Sequence, residues 1–210
     1  MTLIDISIPV SPTTPEWPGD TPFSCGWSWD MTAGASVNVS RITMSPHVGT
    51  HADAPLHVTP DAIGADALPL HVFHGPATVA DVSDLTGAIS LETLTPRLTD
   101  PNPQRLLLKT NQTIASGAFP THWPFLDPDC VHALLTRGLK LLGVDCPSVD
   151  DRESKTLTIH HTLFDANAFI LENLDLRATL PDTYELIAYP TKFTALDAAP
   201  VRAVLHPARK

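Results

Sequence analysis

The run HVGTHADAPLH at positions 47–57 constrains this chain more than any other feature. It gathers His47, His51, Asp53 and His57, and five of the ten histidines fall between His47 and His74. A helix uses this spacing badly: His47 and His51 would share a face, but Asp53 would point nearly opposite His51. Pro46, Gly49 and Pro55 also oppose a regular helix. In an extended segment, residues of equal parity share a face. All four residues carry odd numbers, so an extended or gently turning backbone aims them the same way. Neutral imidazole and ionised carboxylate are ordinary ligands of zinc and related divalent ions. A carboxylate can also bridge two ions, which a single imidazole nitrogen cannot, so Asp53 is the natural bridge of a two-ion site. Gly49 permits close approach of backbone or substrate, and Pro55 stiffens the loop. One loop histidine is ordinarily a surface or hydrogen-bonding residue. Two histidines and an aspartate on one parity, with a further histidine in line, point to a metal. His71 and His74 fall outside the pattern and read as structural or exposed.

Three ligands from one loop leave a site incomplete. The stretch TIHHTLFDANAFILENL offers the best completion, with His160 and His161 adjacent and Glu172 closing the apolar run 169–171. A carboxylate at the end of a buried strand needs a partner, because an unpaired buried charge is costly. A metal supplies one; a helix N-terminus near Asp175 is the alternative, and the residues leave both open.

The remaining sequence sets the frame. At 210 residues, with 43% apolar and 17% charged residues, the chain reads as one soluble globular domain spanning 1–210. A net charge of −10 argues against nucleic acid and against an anionic membrane surface. No run is long enough for a membrane helix, and the N-terminus lacks a secretory pattern, so a cytoplasmic location is expected. Cys25, Cys130 and Cys146 have no CxxC spacing and read as reduced, buried residues. Strand-like runs lie at 3–8, 36–44, 77–82, 105–109, 140–144, 169–171, 184–189 and 201–205. Several are short apolar runs, as in strands buried on both faces. A helix is expected over 127–137, capped by Asp127, with Pro128 in its first turn and Gly138 at its stop. A second is expected over 91–98, weakened by Pro96. This mixture predicts an α/β fold with a mixed sheet.

The run at 47–57 resembles the HxGTHxDxPxH signature of the cyclase-like metal hydrolases, a family that includes bacterial kynurenine formamidases. WPGD at 17–20, GVDCPSVD at 143–150, ILENL at 170–174 and YELIAYPTKFTALDAAPVRAVL at 184–205 are similar to segments of the formamidase branch. The resemblance implies a swivelling β/β/α domain, two Zn2+ per subunit and a homodimer. It also implies hydrolysis of N-formyl-L-kynurenine to L-kynurenine and formate in tryptophan degradation. His47, His51 and Asp53 match the ligands of one metal; Asp53 and His160 match those of the second, and Glu172 contacts both. His57 matches the proton-transfer residue and Trp17 an aromatic at the substrate pocket, which without the resemblance reads as an ordinary core aromatic. His161 matches nothing, although its adjacency to His160 leaves the register open. Mn2+ or another divalent ion suits the same ligands.

A formamide is resonance-stabilised, so the implied chemistry needs a metal-held water, whose pKa falls to about 7 in favourable zinc sites. Imidazole titrates near neutral pH, which suits His57 for passing the proton to the leaving nitrogen. Phe23, Trp27 and Trp29 are further candidates for lining the pocket, with nothing to rank them. Arg41 reads as a surface charge, and no residue stands out for the amino-acid head of the substrate. Three rival readings are another hydrolase of the same family, a non-haem iron oxygenase built on His51 and Asp53, and a non-catalytic metal-binding protein.

Overall fold

The apolar runs become the middle of one sheet. Leu106, Leu107 and Leu108 are buried, as are all of Leu141–Val144 and Phe169–Glu172. With both faces covered there is no alternation, so these strands read as continuous apolar stretches. The computed structural model describes residues 3–207. In chain order its strands are β1 (Ile4–Asp5), β2 (Ser24–Trp29), β3 (Val39–Thr43), β4 (His51–Asp53), β5 (His74–Asp81), β6 (Ala88–Ile89) and β7 (Arg105–Lys109). Then follow β8 (Phe125–Leu126), β9 (Leu141–Val144), β10 (Phe169–Glu172), β11 (Asp182–Ile187), β12 (Ala198–Pro200) and β13 (Val204–Pro207). The helices are α1 (Leu91–Leu94), α2 (Pro128–Thr136) and α3 (Thr158–Asp165).

Nine strands form the large sheet in the order β1-β13-β11-β5-β7-β9-β10-β4-β12. Its centre, β5-β7-β9-β10, is parallel, and both flanks are antiparallel. The expected α/β class with a mixed sheet is therefore what forms. Phe73, Leu106–Leu108, Leu134, Leu141 and Ile170 belong to one continuous apolar cluster. α2 begins where its signals place it: the Asp127 side chain accepts from Cys130 N at 2.7 Å, and Pro128 is the first helical residue. Gly138, at φ +98°, follows its end. The expected helix at 91–98 is instead one α-turn followed by a 3-10 turn over Thr95–Arg97, since Pro96 removes a donor from the ladder.

Other expectations shift. The strand expected at 36–44 forms as β3, but all five of its residues are exposed. It pairs with β2, which the sequence did not announce, in a two-stranded hairpin apart from the large sheet. The run 3–8 yields only the two residues of β1 in a strand, with an isolated bridge from Ser7 to Leu174. The run 201–205 is split, its start bridging to Pro190 and its end joining β13. His71 and His74 are exposed, as expected. No helix follows Glu172, so its reading as a helix cap is withdrawn.

For the site, the decisive pairing is around β4. It lies between β10 and β12, with His51 opposite both Glu172 and Pro200, and Asp53 opposite Ile170 and Ala198. Directly opposed residues of an antiparallel pair share a face. Three neighbouring strands thus present one face, at the carboxyl end of β10, where ligands of parallel sheets characteristically bind.

Candidate metal centre

Parity holds over β4, where His51 and Asp53 point to one side. Beyond it the expectation of an extended or gently turning run needs correction: His47 comes from a turn before the strand, and His57 ends a 3-10 turn, Pro55–His57, after it. Gly49 makes the first turn feasible. Its φ is +76°, and a Cβ there would lie 2.5 Å from Cγ2 of Val10. The chain bends on both sides of a three-residue strand, and that bending makes the side chains converge.

Two clusters of donor atoms result, His47–His51–Asp53 and Asp53–His160–Glu172, each with its atoms within 4.8 Å of one another. Asp53 joins them through different oxygens. Its Oδ1 lies 3.1 Å from His47 Nδ1 and 3.3 Å from His51 Nε2, and its Oδ2 lies 3.4 Å from His160 Nε2. Glu172 reaches both sides too, with Oε2 3.6 Å from His51 Nε2 and Oε1 3.6 Å from His160 Nε2. Of the adjacent pair, His160 faces the cluster and is buried, while His161 is half-buried.

Whether these residues suit a cation can be tested on their outer contacts. His51 Nδ1 lies 2.9 Å from the Gly49 carbonyl, His160 Nδ1 2.7 Å from Asp150 Oδ2, and His47 Nε2 2.9 Å from Asp197 Oδ2. Each acceptor calls for the N–H on that nitrogen and leaves the lone pair of the other nitrogen facing the cluster. This is the arrangement that orients metal-ligating imidazoles. Meanwhile the two Asp53 oxygens are fully buried and accept no hydrogen bond of proper geometry. Buried carboxylate oxygens without partners are costly, and cations would satisfy them. The donor set fits a divalent cation.

The electrostatics agree. Burial works to lower the His51 and His160 rings, yet the surrounding carboxylates win and raise both to about 10. For His47, burial is likewise outweighed, by Asp197 and Asp53, and the ring rises to about 9. Burial pushes Asp53 up, but the three histidines overcome it and hold the carboxyl well below its ordinary range. Here protons screen a concentration of negative charge that a divalent cation would screen better.

His57 stands at the open side. Its Nδ1 lies 3.2 Å from Asp197 Oδ2, and its ring centroid lies 4.4 Å from that of His47 and 5.8 Å from that of His160. His47, His57 and Asp197 could also gather around an ion. The cluster opens into a cavity of about 380 Å³ lined by Trp17, Phe119, Ser148, Arg152 and Lys155 among others. Trp17 is 40% exposed and meets Phe119 edge-on at 5.4 Å, so it is a pocket wall rather than a core aromatic. Trp123 packs behind it at 6.1 Å and donates from Nε1 to the Asp150 carbonyl at 2.8 Å. Phe23, Trp27 and Trp29 do not line this cavity: Phe23 faces another groove, and both tryptophans sit on the exposed hairpin. Arg41 is exposed and donates to the Trp27 carbonyl, as a surface residue.

Sequence reasoning missed Asp150 and Asp197. Asp150 accepts from the backbone N–H of Ile159 at 2.9 Å and of His160 at 3.1 Å, so it caps α3 while holding the His160 ring. Asp197 holds two rings at once. Asp150 ends the segment 143–150 and Asp197 lies within 184–205, but nothing in their spacing singles them out.

The family described as "Putative cyclase" matches residues 4–151. The chain is 43% identical over 204 residues to a protein named kynurenine formamidase from Bordetella avium (strain 197N), covering 97% of each. Among solved structures it is similar to a potential metal-dependent hydrolase with cyclase activity, at 25% identity and a TM-score of 0.85, covering 100% of this chain and 99% of that one. A predicted metal-dependent hydrolase from Bacillus stearothermophilus matches at 26% identity and a TM-score of 0.81, covering 97% of each. A match over most of the chain, joined to 43% identity along nearly all of a relative, leads to one conclusion: the chain belongs to the cyclase family.

Proposed function

We propose that this chain is a two-zinc kynurenine formamidase, hydrolysing N-formyl-L-kynurenine to L-kynurenine and formate. Asp53 carries the reading, with both oxygens buried and each facing a different set of imidazole nitrogens. The substrate is proposed from the similarity to the Bordetella formamidase. His47, His51 and Asp53 would hold one ion; Asp53, His160 and Glu172 would hold the other. When bound, the ions would supply an acidified water at neutral pH and a Lewis-acid contact for the formyl oxygen. Mn2+ suits the same donors, and cellular availability decides between them.

The chain's own residues do the rest. Asp197 takes the Nδ1 proton of His57 as a hydrogen bond, which leaves Nε2 to accept a proton during attack and return it to the departing aniline nitrogen. Trp17 and Phe119 offer an aromatic wall to the aryl ring and keep bulk water from it. An iron oxygenase of the facial-triad kind generally sits on an all-β jelly roll, whereas this sheet has a parallel centre flanked by helices.

Two further parts of the proposal rest on the surface. The hairpin β2–β3 exposes Trp27, Trp29 and Ile42, each more than half accessible, and such an apolar patch marks an interface. We assign it to a homodimer. The three cysteines are free, and no helix of the described residues is long and apolar enough to cross a membrane, which suits a cytoplasmic enzyme.

Purified protein should release formate from N-formyl-L-kynurenine, lose that activity to a strong chelator and regain it with zinc. Elemental analysis should count two ions per chain, and light scattering should give a dimeric mass that Trp27→Ser with Ile42→Ser converts to the monomer. Metal-loaded protein inert towards every aryl formamide would refute the function.

A further inference from the structure

The formamidase reading leaves the α-amino-acid head of the substrate without partners, and the cavity holds a loop suited to it. Residues 151–157 connect Asp150 to α3 and contribute Arg152, Ser154, Lys155 and Leu157 to the cavity wall. The loop is pinned internally. Glu153 N donates to Asp151 Oδ1 at 2.8 Å, Ser154 N to the Asp151 carbonyl at 3.0 Å, and Leu157 N to Ser154 Oγ at 3.1 Å. Leu157 has φ +45° and ψ +47°, a left-handed conformation that costs energy for a branched side chain and that clusters at functional sites. Both ends are fixed by the metal centre, since Asp150 holds the His160 ring and the first N–H groups of α3.

The loop's cations are poorly spent within the protein. Arg152 meets only its neighbour Glu153, at 3.3 Å, in a contact open to solvent that contributes little. Lys155 forms no ion pair among the described residues. Glu16 and Asp20 line the same cavity and pair with neither cation. In a chain with 13 Lys and Arg against 23 Asp and Glu, the active cavity gathers Lys155, which has no ion pair among the described residues, and Arg152, paired only with the solvent-open Glu153. Separated charges of both signs complement a zwitterion. A guanidinium and an ammonium on one loop are suited to a carboxylate, the guanidinium as a planar fork and the ammonium as a point charge.

We infer that Arg152 and Lys155 bind the α-carboxylate of the substrate, and so select an amino-acid-bearing aryl formamide over a bare one. The inference rests on the formamidase reading and adds a specificity determinant to it. The metal cluster grips the formyl end, the Trp17–Phe119 wall takes the ring, and the 151–157 loop reads the head.

The test compares two substrates on metal-loaded enzyme: N-formyl-L-kynurenine, and 2-formamidoacetophenone, which keeps the aryl formamide but lacks the head. In Arg152→Gln with Lys155→Gln, kcat/KM for formyl-kynurenine should fall about 10- to 100-fold, the scale of losing hydrogen bonds to a charged group, mainly through KM. The loss on the headless substrate should stay within about threefold, and Arg152→Lys with Lys155→Arg, which keeps both charges but moves the planar fork, should recover only part of the head-bearing activity. Equal losses on both substrates would make the loop a mere support for His160, and no loss on either would make its cations surface charges; both results overturn the inference. Wild-type enzyme that hydrolyses both substrates equally well overturns the inference alone. Wild-type enzyme that hydrolyses neither overturns the formamidase reading itself, and this inference with it.

Discussion

At the scale of single residues, charge and geometry can be separated by substitutions that keep shape. Asp53→Asn keeps the outline of the side chain but removes the negative charge that both donor clusters share. Both ions should be lost, and formate release should fall by more than the roughly 10- to 100-fold typical of outer-shell partners. His57→Ala should instead keep both ions and lose turnover, because its nitrogens lie outside the two clusters built on Asp53. Elemental analysis beside a formate assay distinguishes the two, and loss of metal from His57→Ala would make His57 a ligand. Asp197 is an outer partner in this sense, holding His47 and His57 through one oxygen. Asp197→Asn should lower activity about 10- to 100-fold while most of the metal remains. His47, His51 and Asp53 were legible because their types and spacing are local, all within 47–57, whereas His160 and Glu172 came from a distant segment and rested on the family resemblance. Asp150 and Asp197 were not legible. Each is one carboxylate among 23 acidic residues, given its meaning by strands and a helix that bring distant chain segments together.

Elements explain why the site could be read while its backbone was misjudged. The expected extended run is only three residues long, and the turn at 46–50 does as much as the strand to bring His47 to Asp53. Gly49 is the price of that turn. Gly49→Ala would place a methyl 2.5 Å from Val10 at φ +76°, so strain and overlap together should cost about 1–3 kcal/mol, measurable by urea denaturation. The same substitution should weaken metal retention, since it moves His47 relative to His51. α3 escaped notice for a related reason. Its N-cap position is Leu157, which offers no side-chain oxygen, and the cap comes instead from Asp150. β2 escaped because Ser24, Gly26 and Ser28 interrupt its β-forming residues, whereas the similarly exposed β3 carries Val39, Ile42 and Thr43. α2 was legible because Asp127, Pro128 and Gly138 carry their signals locally.

Taken whole, the molecule gathers charge that only long-range pairing can assemble, and its response to pH should show it. The class of the fold followed from buried apolar runs, but the strand order did not, since β4 lies between strands more than a hundred residues further along the chain. The fold sets three imidazoles, His51 and His160 buried and His47 half-buried, against the carboxylates of Asp53, Glu172, Asp150 and Asp197. Without metal, His47, His51 and His160 titrate at about 9, 10 and 10, above the ordinary 6.5. Their folded values are raised, so their contribution to stability is complete below about 6.5 and disappears as pH rises through 9 to 10. Asp53, Asp150 and Asp197 are lowered, so theirs is present above about 3.8 and fades as pH falls through their depressed folded values. Metal-free protein should therefore lose thermal stability on going from pH 6.5 to pH 9.5. A cation must displace a proton from each of the three rings, so its affinity rises over the same interval and its stabilisation of the fold grows with it. The gain in Tm on adding zinc should be larger at pH 8 than at pH 5.5, and calorimetry in buffers of different ionisation heat should show protons released on binding. A gain independent of pH, with no proton release, would mean that the rings are already neutral and that the carboxylates around Asp53 do not govern them.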